Sequence, residues 1–303
     1  MTDYPGYIDS SRSGRLKDLA AGLMERLKDC TVCPHHCHVN RQKGELGFCR
    51  ASWEVEIGGY GPHFGEEPPL VGRGGSGTIF FSHCNLACVF CQNFDISRGQ
   101  HGEKVSLETL ARIMLSLQDR GCHNINLVTP SHYVPQIIAA LAIAAEKGLR
   151  LPLVYNCGGY EEKATLEEIA GLIDIYMPDF KYADPEVGRR LSHVPDYPRV
   201  AKIAIKEMQR QVGDLQVDDE GIARRGLIIR HLVLPEGLAG TGEVMEFIAR
   251  EISPHAYINV MNQYYPACEA YRYGPLSRRI TREEFKEALE AAHRASPHFQ
   301  LAE

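Results

Sequence analysis

Three thiols crowd one short stretch of this chain. Residues 81–93 read FSHCNLACVFCQN, with Cys84, Cys88 and Cys91 in the spacing Cys-x3-Cys-x2-Cys. Four thiolates complete a [4Fe-4S] cluster; three leave one iron with a position open to an outside ligand, which is what chemistry at iron requires. Zinc held by three protein ligands and a water is a competing reading, as is a set of unliganded core cysteines. His83 is a poor fourth zinc ligand, because adjacent side chains on a strand point to opposite faces. A second group, Cys30, Cys33, Cys37 and Cys49, lies beside His35, His36 and His38. So short a segment can hardly build its own core, and four thiols within it indicate a four-coordinate metal clip. Zinc would make that clip structural. A second [4Fe-4S] cluster would make it an electron relay or a substrate anchor, and spacing does not choose between them.

Both groups need a scaffold. From Thr78 onward, strand-like runs (TIFFS, NINLVT, PLVYN, DIYMPDF, LIIRHLVL and YINVMNQY) alternate with segments such as SLETLARIMLSLQDRG and VPQIIAALAIAAEKG, whose apolar residues recur at helical spacing. The alternation predicts βαβ units on a parallel sheet. Six units are too few for a closed eight-stranded barrel and suit an open partial (β/α)6 barrel or a doubly wound sheet. The three cysteines follow the first strand directly, at the carboxyl edge where such sheets collect ligands. Residues 1–54 read as a small cysteine-rich, metal-binding appendage with a helical lead-in. Residues 55–76 read as a connector whose glycines and prolines favour turns over regular structure, and 77–303 as the α/β body.

An apolar fraction of 44% and a charged fraction of 24% describe an ordinary globular protein. The net charge is −6, with no basic run to track a phosphate backbone, so nucleic acid is not an expected partner. The first residues lack the apolar core of a signal peptide, and the longest apolar run, IIAALAIAA, is too short to span a bilayer. A cytoplasmic location follows as the expectation. There thiols stay reduced, and the ten cysteines are ligands or reactive groups before they are disulfides.

CNLACVFC, with an aromatic before its last cysteine, closes a first strand ahead of a βα series and so resembles the signature of radical S-adenosylmethionine (radical SAM) enzymes. More narrowly, GEEPPLVGRGGSGTIFF, NINLVTPSHYVPQI, PLVYNCGGY, DIYMPDFKYAD, RHLVLP and NVMNQYYP are similar to homologues of pyruvate formate-lyase activating enzyme, the PflX-like group. The resemblance implies a partial barrel of the radical SAM type. It also implies a [4Fe-4S] cluster on Cys84, Cys88 and Cys91, with S-adenosylmethionine chelating the open iron. Reductive cleavage would then give methionine and a 5'-deoxyadenosyl radical that takes hydrogen from a strong C–H bond. The implied partners are a low-potential electron donor such as flavodoxin or ferredoxin, and as substrate a glycyl residue on a partner protein, another peptide or a small molecule. A non-catalytic iron-sulfur electron-transfer protein is the alternative class, and the long βα body argues against it.

The resemblance also nominates residues. Many family members follow the second strand with a Gly-Gly-Glu type turn that receives the methionine amino group; here Thr129, Pro130, Ser131 and His132 stand there. The hydroxyls of Thr129 and Ser131, or backbone carbonyls, would have to serve, unless the turn merely shapes the chain. Activating enzymes resemble Asp-Thr-Asn-Gly after the third strand; Tyr155 replaces the acid, and Asn156 is the substitute candidate. Asp179-Phe180-Lys181 matches their Asp-Leu-Lys. Residues one apart share a strand face, so both charges can enter one cavity, where they are costly unless paired or bound to ligand. This pair is the expected positioner of carboxylate or substrate. His231 in RHLVLP is a further cofactor-binding candidate, set against the commoner satisfied structural histidine.

Overall fold

The computed structural model describes residues 4–99 and 101–302. Among them, strands β1 (Val55–His63), β2 (Ser76–Phe81), β3 (Glu103–Val105), β4 (Ile125–Val128), β5 (Leu153–Cys157), β6 (Ile175–Pro178), β7 (Gln216–Val217), β8 (Ala223–Leu232), β9 (Tyr257–Met261) and β10 (Gln300–Leu301) join one sheet. Its order is β10-β9-β8-β6-β5-β4-β2-β1-β3, with β7 paired to β8 off this path. Strands β2, β4, β5, β6, β8 and β9 are parallel, and these are the six predicted from β-branched and aromatic runs. They form the partial (β/α)6 barrel. Val154, Ile175, Met177, Ala223 and Ile228 close its concave side together with Leu70, which reaches in from the single-turn helix Pro68–Val71.

One expectation fails in the connector. Residues 55–63 form β1, antiparallel to both β2 and β3, rather than turns. The glycines there serve the sheet: a Cβ on Gly58 would lie 2.4 Å from Ile96 Cγ2, and the register shifts between Ile57 and Gly59 as at a β-bulge. The helix Tyr197–Val212 also escaped the sequence reading, although Val200, Ala201, Ala204, Ile205 and Met208 repeat at helical spacing and are buried. The final helix, Arg282–Ala295, begins as predicted at Thr281, in a capping box with Glu284.

The cysteine-rich segment is present, and its lead-in is the helix Arg15–Glu25. Tyr7, Leu16, Leu23, Leu27 and Val32 belong to the same buried cluster as the barrel's helices. Each large apolar side chain so buried stabilises the contact by roughly 1.5–3 kcal/mol. Polar contacts fix the register: Tyr7 Oη donates to Leu151 O (3.0 Å), Gly6 N to Asp174 Oδ1 (2.9 Å) and Thr165 Oγ1 to Val32 O (2.8 Å). No helix among the described residues is long and apolar enough to cross a membrane.

Candidate functional site

Strand β2 ends at Phe81, and the chain turns through His83, whose backbone is left-handed (φ 69°), into Cys84. The His83 imidazole faces the Glu56 carboxylate at 3.1 Å and is thereby accounted for. Cys84, Cys88 and Cys91 line one cavity of ≈ 240 Å³ at the carboxyl ends of the strands. Each sulfur has a polar neighbour. Leu86 N donates to Cys84 Sγ (3.3 Å), while the hydroxyls of Ser192 and Ser97 lie 2.9 Å from Cys88 Sγ and 3.2 Å from Cys91 Sγ.

Burial first, and then the adjacent Cys88, pushes the Cys84 and Cys91 thiols up, so their ionisation calls for a strong cation. Among the described residues, no three His, Cys, Asp or Glu side chains converge on a single ion. Cys157 lines the cavity too, but burial and its bond to Glu161 hold its thiol well above the usual range.

Thr129, Asn156, Asp179 and Lys181 line the same cavity, from the ends of β4, β5 and β6. Lys181 Nζ donates to Asp179 Oδ2 (2.6 Å), and Arg230 of β8 donates through Nε to Asp179 Oδ1 (2.9 Å) and through Nη2 to Asn156 Oδ1 (2.7 Å). These three charged side chains are only 16–18% exposed. Burial opposes ionisation of Asp179, but Arg230 and Lys181 on either side overcome it and hold the carboxyl below its ordinary range. The same pairing raises Lys181 and Arg230 against their own burial. The result is a fixed cation–anion–cation row.

Thr129 is β-branched yet left-handed (φ 60°), with its N–H bonded to Asn156 O at 2.8 Å. Strain of that kind persists only where the surroundings impose it. Gly159 (φ 79°) allows the chain after β5 to press on β6, since a Cβ there would lie 2.2 Å from Asp179 O.

Two nominated residues lie outside the cavity. Ser131 is buried on the far side of the turn, where it donates to Glu161 Oε1 at 2.6 Å. His231 is one residue from Arg230 and therefore on the opposite face of β8. Its ring lies 2.7 Å from Phe180 O and 2.9 Å from Thr241 Oγ1, and burial lowers its pKa to about 4. It is a neutral structural histidine. Sequence reasoning missed Arg230, which two-residue alternation along RHLVLP places with the inward set. It also missed Glu161, which burial among the donors Ser131, Tyr155 and Cys157 raises to about 7.

In the second group Cys30, Cys33 and Cys49 are buried and Cys37 is partly exposed. The backbone is fitted to sulfur: a Cβ on Gly47 would lie 2.7 Å from Cys37 Sγ, and Phe48 N donates to that atom at 3.4 Å. Arg41, 2% exposed, donates to His132 O (2.6 Å) and to Cys49 Sγ (3.6 Å). Its strongest charged neighbours are the thiols of Cys49, Cys30 and Cys33. A buried guanidinium is expensive without an anion, so these thiols fit an anionic, thiolate-bound centre. The histidines are otherwise engaged: His35 with Asn85 O (2.8 Å), His36 with Glu162 (2.6 Å) and His38 with Asp29 (2.8 Å).

Residues 78–217 match the model of the Radical SAM superfamily. An uncharacterized protein of Methanocaldococcus jannaschii is 34% identical over 291 residues, covering 92% of this chain and 79% of that protein. Among solved structures, Streptococcus suis SuiB bound to the precursor peptide SuiA aligns with a TM-score of 0.46 at 13% identity. It covers 73% of this chain, which spans about half (47%) of that one. With the three-cysteine loop closing the first parallel strand of a partial barrel, the chain belongs to the radical SAM superfamily.

Proposed function

We propose that this chain is an enzyme that binds a [4Fe-4S] cluster through Cys84, Cys88 and Cys91, cleaves S-adenosylmethionine beside it, and acts on a peptide or protein in the manner of an activating enzyme. One observation carries the reading: three thiols and a cation–anion–cation row share a single cavity. When bound, the cluster and S-adenosylmethionine supply a radical able to remove hydrogen from a strong C–H bond. Binding, orientation and exclusion of water fall to the protein.

Lys181 and Arg230 are the cations for a ligand carboxylate. Asp179, kept ionised between them, and Asn156 are the acceptors for its amino group, and Thr129 presents a backbone already locked toward the site. Leu86, Phe90, Leu232, Leu234 and Met261 make the remaining wall apolar. An electron-transfer protein has no use for such a cavity.

The electron would come from a low-potential flavodoxin or ferredoxin in a reducing, cytoplasmic setting. Cys30, Cys33, Cys37 and Cys49 would hold a second centre, with Arg41 as its counter-ion. Iron-sulfur is favoured over zinc there, because a redox enzyme supplies a use for a second cluster as an electron relay or substrate anchor. The test is anaerobic reconstitution with iron and sulfide, followed by reduction with S-adenosylmethionine present. Formation of 5'-deoxyadenosine and methionine by the wild type, and none by Cys88→Ala, is the expected result. A fully loaded wild type that forms neither product returns the protein to the electron-transfer class.

A further inference from the structure

The connector between β1 and β2 sends two adjacent acids into the barrel. The side chains of Glu66 and Glu67 are 9% and 4% exposed. Arg230, which holds Asp179 and Asn156 above, lies with Nη1 3.9 Å from Glu66 Oε2 and 3.8 Å from Glu67 Oε1 below. Asn259 Nδ2 of β9 donates to Glu67 Oε1 at 3.2 Å. Yet Glu67 Oε2 and both polar side-chain atoms of Asn126 on β4 are buried without a hydrogen-bond partner. The charges do not balance either. Three carboxylates (Glu66, Glu67, Asp179) meet two fixed cations (Arg230, Lys181) and the His63 ring, 3.8 Å from Glu66 Oε1, so full ionisation leaves one buried negative charge in excess of the fixed cations. Adjacent carboxyls in a low dielectric resolve this by retaining a proton.

We propose that Glu66 and Glu67 are positioning residues, holding Arg230 beneath Asp179 and Asn156, and that the affinity of the site for S-adenosylmethionine follows the protonation of Glu66. Burial, joined by the Glu67 charge and opposed by Arg230, pushes Glu66 up to about 7. The groups that face it are Glu67 on its own segment, His63 of β1 (3.8 Å), Asn126 of β4 and Arg230 of β8. Asn259 and Tyr257 of β9 act through Glu67, and Asp179 of β6 through Arg230. S-adenosylmethionine carries a fixed sulfonium charge, which favours ionised Glu66. Binding therefore releases the proton, and affinity strengthens as pH rises through about 7.

The inference rests on the reading of the cavity as a site for S-adenosylmethionine, and the experiment separates the two. Binding of S-adenosylmethionine to the reconstituted protein is followed by calorimetry across neutral pH, alongside infrared titration of the protonated carboxyl band in the protein without ligand. The wild type should bind more tightly above neutrality and release a proton. Glu66→Gln should flatten the pH profile and remove the titrating band, and Glu67→Gln should weaken binding by about tenfold. A wild type that shows the band but never binds S-adenosylmethionine refutes the functional reading while upholding the proton on Glu66. Variants matching the wild type in affinity, pH profile and infrared band refute the positioning role.

Discussion

The two cysteine groups each sit against a buried cation, and the two cations are used differently. Beside Cys84, Cys88 and Cys91, Lys181 is shared with Asp179 in a row that lines an open cavity. Beside Cys30, Cys33 and Cys49, Arg41 is walled in, with Nη1 on a backbone carbonyl, Nη2 on a sulfur and Nε unpartnered. The open group keeps its polar side chains facing a space, whereas beside the second group Arg41 Nε and His132 Nδ1 are buried without a hydrogen-bond partner. Three thiols against four is the same distinction at the level of sequence.

The sharpest way to break this contrast is to remove a sulfur from the open group. Cys84→Ala, Cys88→Ala or Cys91→Ala should each lose that cluster and abolish 5'-deoxyadenosine formation while the N-terminal metal persists, as iron and sulfide analysis will tell. In the closed group, Cys33→Ser should strip the N-terminal centre and strand Arg41 without its anion, at about 3–5 kcal/mol of stability. Chemical denaturation measures the loss. Retention of all metal would show that these thiols are not ligands, and loss of both centres would make the groups one unit.

Glu161 supplies a contrast to both, as a buried acid with neutral donors. Its folded pKa of about 7 exceeds the ordinary 4.5. The folded chain therefore holds the proton more tightly than the unfolded one, and this contribution falls away as pH rises from 4.5 to about 7. Glu161→Gln should cancel it, gaining up to about 3 kcal/mol above neutrality, as read from denaturant midpoints at two pH values. Asp179→Asn comes next. It leaves Lys181 and Arg230 facing each other and should weaken S-adenosylmethionine binding by about 2 kcal/mol or more in calorimetry, with the fold retained. Ser131→Ala, which removes one donor from Glu161 outside the cavity, should cost only about 1 kcal/mol of stability and leave binding unchanged.

Much of this was legible from residue order. TIFFS, NINLVT, PLVYN and their successors announced the parallel strands, because β-branched and aromatic runs bounded by turns have few other uses. CNLACVFC likewise announced its chemistry. Strand β1 was hidden because its glycines answer to neighbours such as Ile96, which local composition does not record. At RHLVLP the error was one of parity: histidine drew the eye, whereas the inward residue was Arg230. Ser131 sits two positions from Thr129, and only the short helical turn at Ser131–Tyr133 decides that it faces Glu161. Glu66 and Glu67 read as part of a loop, since nothing in GEEPP says that the loop enters the barrel.

The contacts of Tyr7 with Leu151 and of Gly6 with Asp174 span 144 and 168 residues. On a ribosome adding about 5–20 residues per second, the early segment waits roughly ten to thirty seconds for its partner to be made. For that interval the segment that carries Cys30, Cys33, Cys37 and Cys49 lacks Thr165, whose hydroxyl donates to Val32 O at 2.8 Å, so its docking on the barrel is a late step of synthesis.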